Sequence, residues 1–175
     1  MEIMFYIAAI VAIFSTVMVI TRLNAVHALL YLIVSLLSVA VIFFILGAPF
    51  IAALEVIIYA GAIMVLFIFV IMMLNLGNAA KQQESQWIKP SMWIGPSVLA
   101  IIIFIEFIYI LSKSRSDAFT SSVIDAKQVG AALFGPYLIG VELAAMLLLA
   151  GIVGAYHLGR RKKASLHRFT EEMTK

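Results

Sequence analysis

The sequence predicts an all-α integral membrane protein with five transmembrane helices and no soluble domain. Two observations carry this prediction. Of the 175 residues, 65% are hydrophobic and 12% are charged, with a mean hydropathy of +1.14, whereas soluble domains are about 45–50% apolar and about 25% charged. A bilayer core of about 30 Å requires roughly 20 apolar residues in an α-helix, and the chain contains five apolar runs of that length.

The five predicted spans occupy residues 3–20, 26–46, 51–74, 92–111 and 133–156. The segments between them are too short to bury a hydrophobic core of their own. The first span starts almost at Met1 without the Lys or Arg cluster of a secretory signal, so we expect it to be retained as a helix. The sequence therefore predicts one membrane domain over residues 1–160 and a basic tail over residues 161–175.

The distribution of Lys and Arg predicts the orientation, because positively charged loops stay on the cytoplasmic side. Only Lys113, Arg115 and Lys127 of the 12 basic residues fall on one side of the predicted membrane. The C-terminus is therefore predicted to be cytoplasmic and the N-terminus periplasmic. The remaining nine basic residues fall on the cytoplasmic side: Arg22, Lys81, Lys89, Arg160, Arg161, Lys162, Lys163, Arg168 and Lys175.

Cysteine is absent from the sequence, which excludes thiolate-bound iron–sulfur clusters, cysteine–zinc sites and disulfides from this chain. The net charge of +3 is concentrated in GRRKKASLHR at 159–168, directly after the last span. We interpret that segment as a topology anchor at anionic lipid headgroups. No folded basic surface accompanies it, so nucleic-acid binding is not expected.

Three carboxylates lie within the predicted spans, where an ionisable side chain is costly and is a candidate for function. Glu106 lies near the outer end of the fourth span and is predicted to snorkel or to pair with a partner. Glu142 falls near the membrane midplane in the fifth span. Glu55 lies one helical turn before Tyr59 in the third span, which predicts one shared face. For Glu55 and Glu142, a packing role and a place in a proton path remain open alternatives.

Small residues interrupt the third span at Ala60-Gly61-Ala62. Such residues allow close helix packing in membranes, which is one interpretation. Glycine within a helix also weakens it by about 1 kcal/mol relative to alanine, and π-bulges within helices are frequent at functional sites. The triplet is therefore either a packing surface or a weak point in the third span.

Three stretches resemble the J-chain family of bacterial NADH–quinone oxidoreductase, the respiratory complex I. They are NAVHALLYLIVSLL at 24–37, LEVIIYAGAIMVLFIFVIMMLN at 54–75 and LFGPYLIGVELAAMLLLAGIVGAYHLGR at 133–160. The likeness is most specific in the third span, where Glu55, Tyr59, Gly61 and Asn75 fall together. Ala25 stands where the family commonly has proline, which puts the sharpness of the first turn in doubt.

This resemblance implies a non-catalytic subunit that couples quinone reduction to proton translocation. It would be located in the bacterial inner membrane, beside the small core membrane subunits near the quinone end. It implies no cofactor in this chain, with FMN, iron–sulfur clusters and quinone bound by other subunits. It further implies a π-bulge in the third span that changes its winding at Ala60, Gly61 and Ala62, moving Glu55 and Tyr59 relative to neighbouring subunits.

Two other functions compete with this interpretation. A subunit of a multisubunit cation/proton antiporter would have the same membrane character, and only its partners would distinguish it. A small transporter acting alone is disfavoured, because the sequence lacks the internal repeat that is expected in such folds.

Overall fold

A computed structural model describes residues 2–74, 90–113 and 123–160 of the chain. In these residues, five helices are long and apolar enough to cross a membrane, which confirms the predicted fold class. The third of these spans contains a π-helical stretch, named here the π segment. The elements are α1 Glu2–Thr21, α2 Ala25–Ile45, α3 Pro49–Leu54, the π segment Glu55–Ile63, α4 Met64–Leu74, α5 Pro90–Lys113, α6 Ala126–Leu133 and α7 Leu138–Gly159.

The turn between α1 and α2 is closed by Asn24. Its side-chain Oδ1 accepts hydrogen bonds from the backbone N–H groups of Val26 (3.0 Å) and His27 (3.3 Å). These N–H groups would otherwise lack partners at the start of the helix. Asn24 therefore starts α2 at Ala25 without the proline that is common in the family at that position.

The α1–α2 hairpin is joined by a small polar seam. The Thr16 and Ser35 hydroxyl oxygens lie 2.9 Å apart, and each is also within hydrogen-bonding distance of the carbonyl oxygen of Ala12, at 2.8 and 3.2 Å. Since each hydroxyl has one proton, one group donates to Ala12 while the other donates to its hydroxyl neighbour. Ala8, Ala12 and Ser15 are buried along the same helix. Small side chains let the two backbones approach closely, and the hydroxyls fix their register.

Helix α2 ends in a Schellman motif. The N–H of Gly47 donates to the carbonyl oxygen of Phe44 (3.1 Å), and that of Ala48 donates to Phe43 (3.0 Å). Gly47 has a φ of 84°, a left-handed conformation that glycine adopts without steric cost. Pro49 then occupies the first turn of α3, where its missing N–H costs nothing.

Helix α5 packs against α2 and runs in the same direction. Near their N-terminal ends Gly95 lies against the Tyr31 hydroxyl, and further along both helices the Phe44 and Phe107 rings meet edge to face at 5.7 Å. If the third span crosses the membrane once, the second and fourth spans must cross it in the same direction. The contacts therefore agree with the predicted order of spans.

The described residues from Lys127 to Arg160 belong to a second compact unit, separate from that of the described residues up to Ala126. Within it, α6 covers residues that the sequence analysis left in a connecting segment, and α7 begins at Leu138 rather than at 133. Pro136 disfavours helix at the preceding residue, and a Cβ atom on Gly135 would lie 2.7 Å from the Ala131 carbonyl oxygen. The sequence Gly135-Pro136 thus separates two helices. The predicted basic tail, 161–175, lies outside the described residues.

Candidate functional site in the third span

The third span changes from α-helix to π-helix at Glu55. The π segment is nine residues long and ends at Ile63. Its register is visible at the following residue, because the Met64 N–H donates to the carbonyl oxygen of Tyr59, five residues earlier, and to that of Gly61. π-Helices are rare, occur mostly as single-turn bulges within α-helices, and are frequent at functional sites. The structure confirms the π geometry that the resemblance implied and extends it over the whole of Glu55–Ile63.

The local sequence favours a widened helix. Val56, Ile57 and Ile58 are consecutive β-branched residues, whose side chains crowd the preceding turn of an α-helix. They are followed by Ala60-Gly61-Ala62, which offers little side-chain packing to hold an α-helical register. The segment therefore combines crowding in its first half with weak constraint in its second.

Gly61 lies closest to the backbone of the widened turn. A Cβ atom on Gly61 would lie 3.1 Å from the carbonyl oxygen of Val56, five residues earlier. That oxygen belongs to the helix backbone, so it has little freedom to move away. A larger side chain at Gly61 is therefore opposed by the π segment itself, in addition to any neighbour that packs on it.

Buried side chains lie on both sides of the π segment, whereas the segment itself has no buried side chain. Ala52 of α3 is 6% exposed and Met64 at the start of α4 is 1% exposed. No residue from Glu55 to Ile63 is buried. A change in winding between these anchors would thus meet little resistance from packing within the chain.

Glu55 and Tyr59 lie on the π segment but are not bonded to each other. Glu55 is half-buried, Tyr59 is 51% exposed, and neither side chain forms a hydrogen bond with another described residue. A carboxylate that faced lipid without a partner would be costly. The described residues therefore offer no partner for a charge on Glu55.

An apolar groove of about 710 Å³ lies beside the beginning of the segment. Ala52 and Val56 line one wall, and Phe44, Phe104 and Phe107 line others. The groove offers space into which residues at the start of the π segment can turn.

Glu142 is exposed on α7, in the second unit. None of the described residues of α7 is buried, so this unit covers neither Glu142 nor its apolar neighbours. The structure does not bring Glu142 together with a named partner.

Glu106 differs most from its predicted environment. Instead of reaching the outer interface, its side chain is 6% exposed, and neither carboxylate oxygen has a hydrogen-bond partner in the described residues. The physical reason is its helical position, since Glu106 continues the inward-facing stripe of Leu99, Ile103 and Ile110 on α5. That 3–4 spacing was present in the sequence and would have predicted burial, whereas depth along the helix did not.

Metal ligands do not cluster in the part of the chain that the structure describes. In residues 2–74, 90–113 and 123–160, no three His, Cys, Asp or Glu side chains lie together in a group able to hold a metal ion. The candidate site consists instead of a weak helix, a carboxylate and a phenol. Its geometry is suited to conformational change within a membrane.

These features define a class: an all-α, multi-pass membrane protein whose third span is interrupted by a π-helix. Residues 15–158 match the family model of NADH-ubiquinone/plastoquinone oxidoreductase chain 6. The chain therefore belongs to this family.

Curated relatives extend the same similarity over nearly the full chain. It is 57% identical to NADH-quinone oxidoreductase subunit J of Pseudomonas aeruginosa over 92% of this chain and 98% of that one. The corresponding subunit J of Escherichia coli strain K12 is 54% identical over 94% of this chain and 89% of its own. A more distant subunit J, from Buchnera aphidicola of Baizongia pistaciae, is 38% identical over 93% and 100%.

Proposed function

We propose that this chain is a non-catalytic membrane subunit of a proton-pumping NADH–quinone oxidoreductase, and that its π segment couples quinone reduction to proton translocation. The observation that carries the proposal is the nine-residue π-helix Glu55–Ile63. Membership of the oxidoreductase family and the names of the similar relatives support the complex in which the segment would act.

The coupling step is a change between π- and α-helical winding. An α-helix has 3.6 residues per turn, so a one-residue shift of register rotates the shifted residues by about 100° around the helix axis. Ala52 and Met64 anchor the two ends by burial, so the rotation is taken up between them. Glu55 and Tyr59 are in that interval, and rewinding would change which groups outside the chain they meet.

The consequence for protons is a path that opens and closes. In one winding the Glu55 carboxylate and the Tyr59 hydroxyl line a hydrated contact with a neighbouring subunit, and in the other they leave it. The groove beside Val56 provides room for this movement. The part of the π segment that rewinds to open or close the path is Ala60, Gly61 and Ala62. Glu142 is a second candidate for a place in the same proton path.

The partners are other membrane subunits of the complex, especially the small core subunits near the quinone end, together with lipid. The uncovered surfaces of the π segment, α4 and α7 supply the apolar area for these contacts. This chain binds no cofactor in the proposal, and FMN, iron–sulfur clusters and quinone are held by other subunits. The protein lies in the bacterial inner membrane with its C-terminus cytoplasmic and its N-terminus periplasmic.

Co-migration tests the proposed complex. A tagged copy of the chain is expressed in its own cells, the membrane is solubilised gently, and the native complexes are separated and stained for NADH dehydrogenase activity. We expect the tagged chain to migrate with that activity. Migration with a cation/proton antiporter and without NADH dehydrogenase would replace the proposal by the alternative function, which the similar relatives do not favour.

A further inference from the structure

Glu106 lies within an apolar core built by α1, α2 and α5. Ile103 and Ile110 precede and follow it on the inward face of α5, and both belong to the buried cluster that also contains Ala8 and Val41. Glu106 itself is 6% exposed. The carboxyl group therefore lies among hydrocarbon side chains.

No described group compensates a charge at this position. Both carboxylate oxygens are buried without a hydrogen-bond partner among the described residues. The titratable groups that the structure describes on the three helices are Glu2, Tyr6, Arg22, His27, Tyr31 and Tyr109, and none of them hydrogen-bonds to Glu106. Arg22, the cation in this set, lies over the Tyr31 ring instead.

An unpaired carboxylate anion in such surroundings loses its hydration and gains nothing in return. Binding a proton removes the charge and leaves a much smaller desolvation cost. We propose that Glu106 is a proton-binding site within the membrane, occupied by a proton in the assembled protein at neutral pH. This site is separate from the π segment, and the proposal does not depend on the coupling role of that segment.

A membrane-soluble carbodiimide tests the presence of the proton. Such a reagent reacts with a protonated carboxyl group by addition: the proton moves to one carbodiimide nitrogen and the carboxyl oxygen bonds to the central carbon, with no leaving group. The adduct can then rearrange to a stable N-acylurea of the same mass. A buried neutral carboxyl in contact with apolar surroundings is the favoured target.

The experiment treats native membranes containing the whole complex with dicyclohexylcarbodiimide at neutral pH and maps the modified peptides by mass spectrometry. Glu2, which is exposed in the first turn of α1, is the internal control. Acid-unfolded complex, in which both residues react, sets the reaction time and the detection limit. We expect modification of Glu106 in large excess over Glu2. Failure of Glu106 to react in the native membranes would overturn the proposal.

Glu106→Gln provides a second measurement that does not depend on access of the reagent. Glutamine keeps the size of the side chain and never ionises, so it replaces a protonated carboxyl without introducing a charge. We expect the assembled variant complex to inactivate on heating at the same temperature as wild type or a higher one. A lower temperature for the variant would mean that Glu106 is an anion paired with a cation of another subunit, and would overturn the proposal.

Discussion

Gly47 is the residue at which the chain reverses direction between the second and third spans. Its φ of 84° disfavours any side chain, by about 1–2 kcal/mol for an L-residue in the left-handed region. We expect Gly47→Ala to lower the temperature at which the solubilised complex inactivates. Gly140→Ala is the matched control, because nothing lies within 4 Å of a Cβ atom there. Equal effects of the two substitutions would contradict this account of the turn.

Glu142 tests whether every intramembrane carboxylate has to change its charge. The side chain is exposed on α7, and we expect Glu142→Gln to be tolerated, as a neutral hydrogen-bonding group would be. Quinone reduction and proton translocation measured on the assembled variant should stay close to wild-type rates, which would remove Glu142 from any relay. Translocation that falls while assembly remains normal would place the residue in the proton path.

At the residue scale, the sequence located the candidate groups better than it described their surroundings. Glu55 and Tyr59 were recognised because charge and polarity are unusual in an apolar run. Their contacts were not predictable, because neither side chain bonds within the described chain. Glu106 differs from them, because its 3–4 spacing with Ile103 and Ile110 indicated the buried face of α5, whereas its depth along the helix did not.

Among the elements, α2 and α5 meet in a close contact that is sensitive to substitution. A Cβ atom on Gly95 would collide with the hydroxyl of Tyr31, and overpacking of this kind costs about 1–3 kcal/mol. We expect Gly95→Ala to reduce the amount of assembled complex in the membrane, measured on native gels. Gly130→Ala, with open space around the added Cβ, should have no such effect.

Removing the hydroxyl of Tyr31 should restore the assembly that Gly95→Ala impairs. Removing it with Tyr31→Phe in the Gly95→Ala background relieves the collision, so the double variant should assemble better than Gly95→Ala alone. Because the two residues touch, their effects should not add. Additive losses in the double variant would show that α2 and α5 do not meet at these residues in the assembled protein.

At the scale of elements, apolar length predicted all five spans, because the thickness of the bilayer fixes how many residues a helix needs. The ends were less certain where glycine and proline decide them: α7 begins five residues after the predicted start because of Gly135-Pro136. The π segment was implied only by the family resemblance. Composition indicated a weak point at Ala60-Gly61-Ala62 but not the nine-residue extent, which depends on backbone hydrogen bonds that no spacing rule reveals.

For the whole molecule, orientation is a prediction from charge that a chain without cysteine makes easy to test. A single cysteine introduced at Ser165 should be protected from an impermeant thiol reagent in intact cells, and one at Ser121 should react. The reason is the excess of Lys and Arg on the side of the C-terminus. The reverse pattern would invert the orientation, and labelling of both sites would indicate an even number of membrane crossings between Ser121 and Ser165.

The central claim is that rewinding of the π segment couples quinone reduction to proton translocation. Gly61→Val tests it most directly. A Cβ atom added at Gly61 would lie 3.1 Å from the Val56 carbonyl oxygen, and the β-branched side chain of valine further restricts the winding. Gly140→Val is the control for adding the same side chain to a span at a position with open space.

The decisive measurement compares two activities of the assembled Gly61→Val complex: NADH oxidation by an artificial acceptor, and proton translocation driven by quinone reduction. We expect the first to be retained and most of the second to be lost, whereas Gly140→Val should keep both. The same amount of complex in the membrane, checked on native gels, makes the comparison valid. Full coupled proton translocation in an assembled Gly61→Val complex would contradict the account.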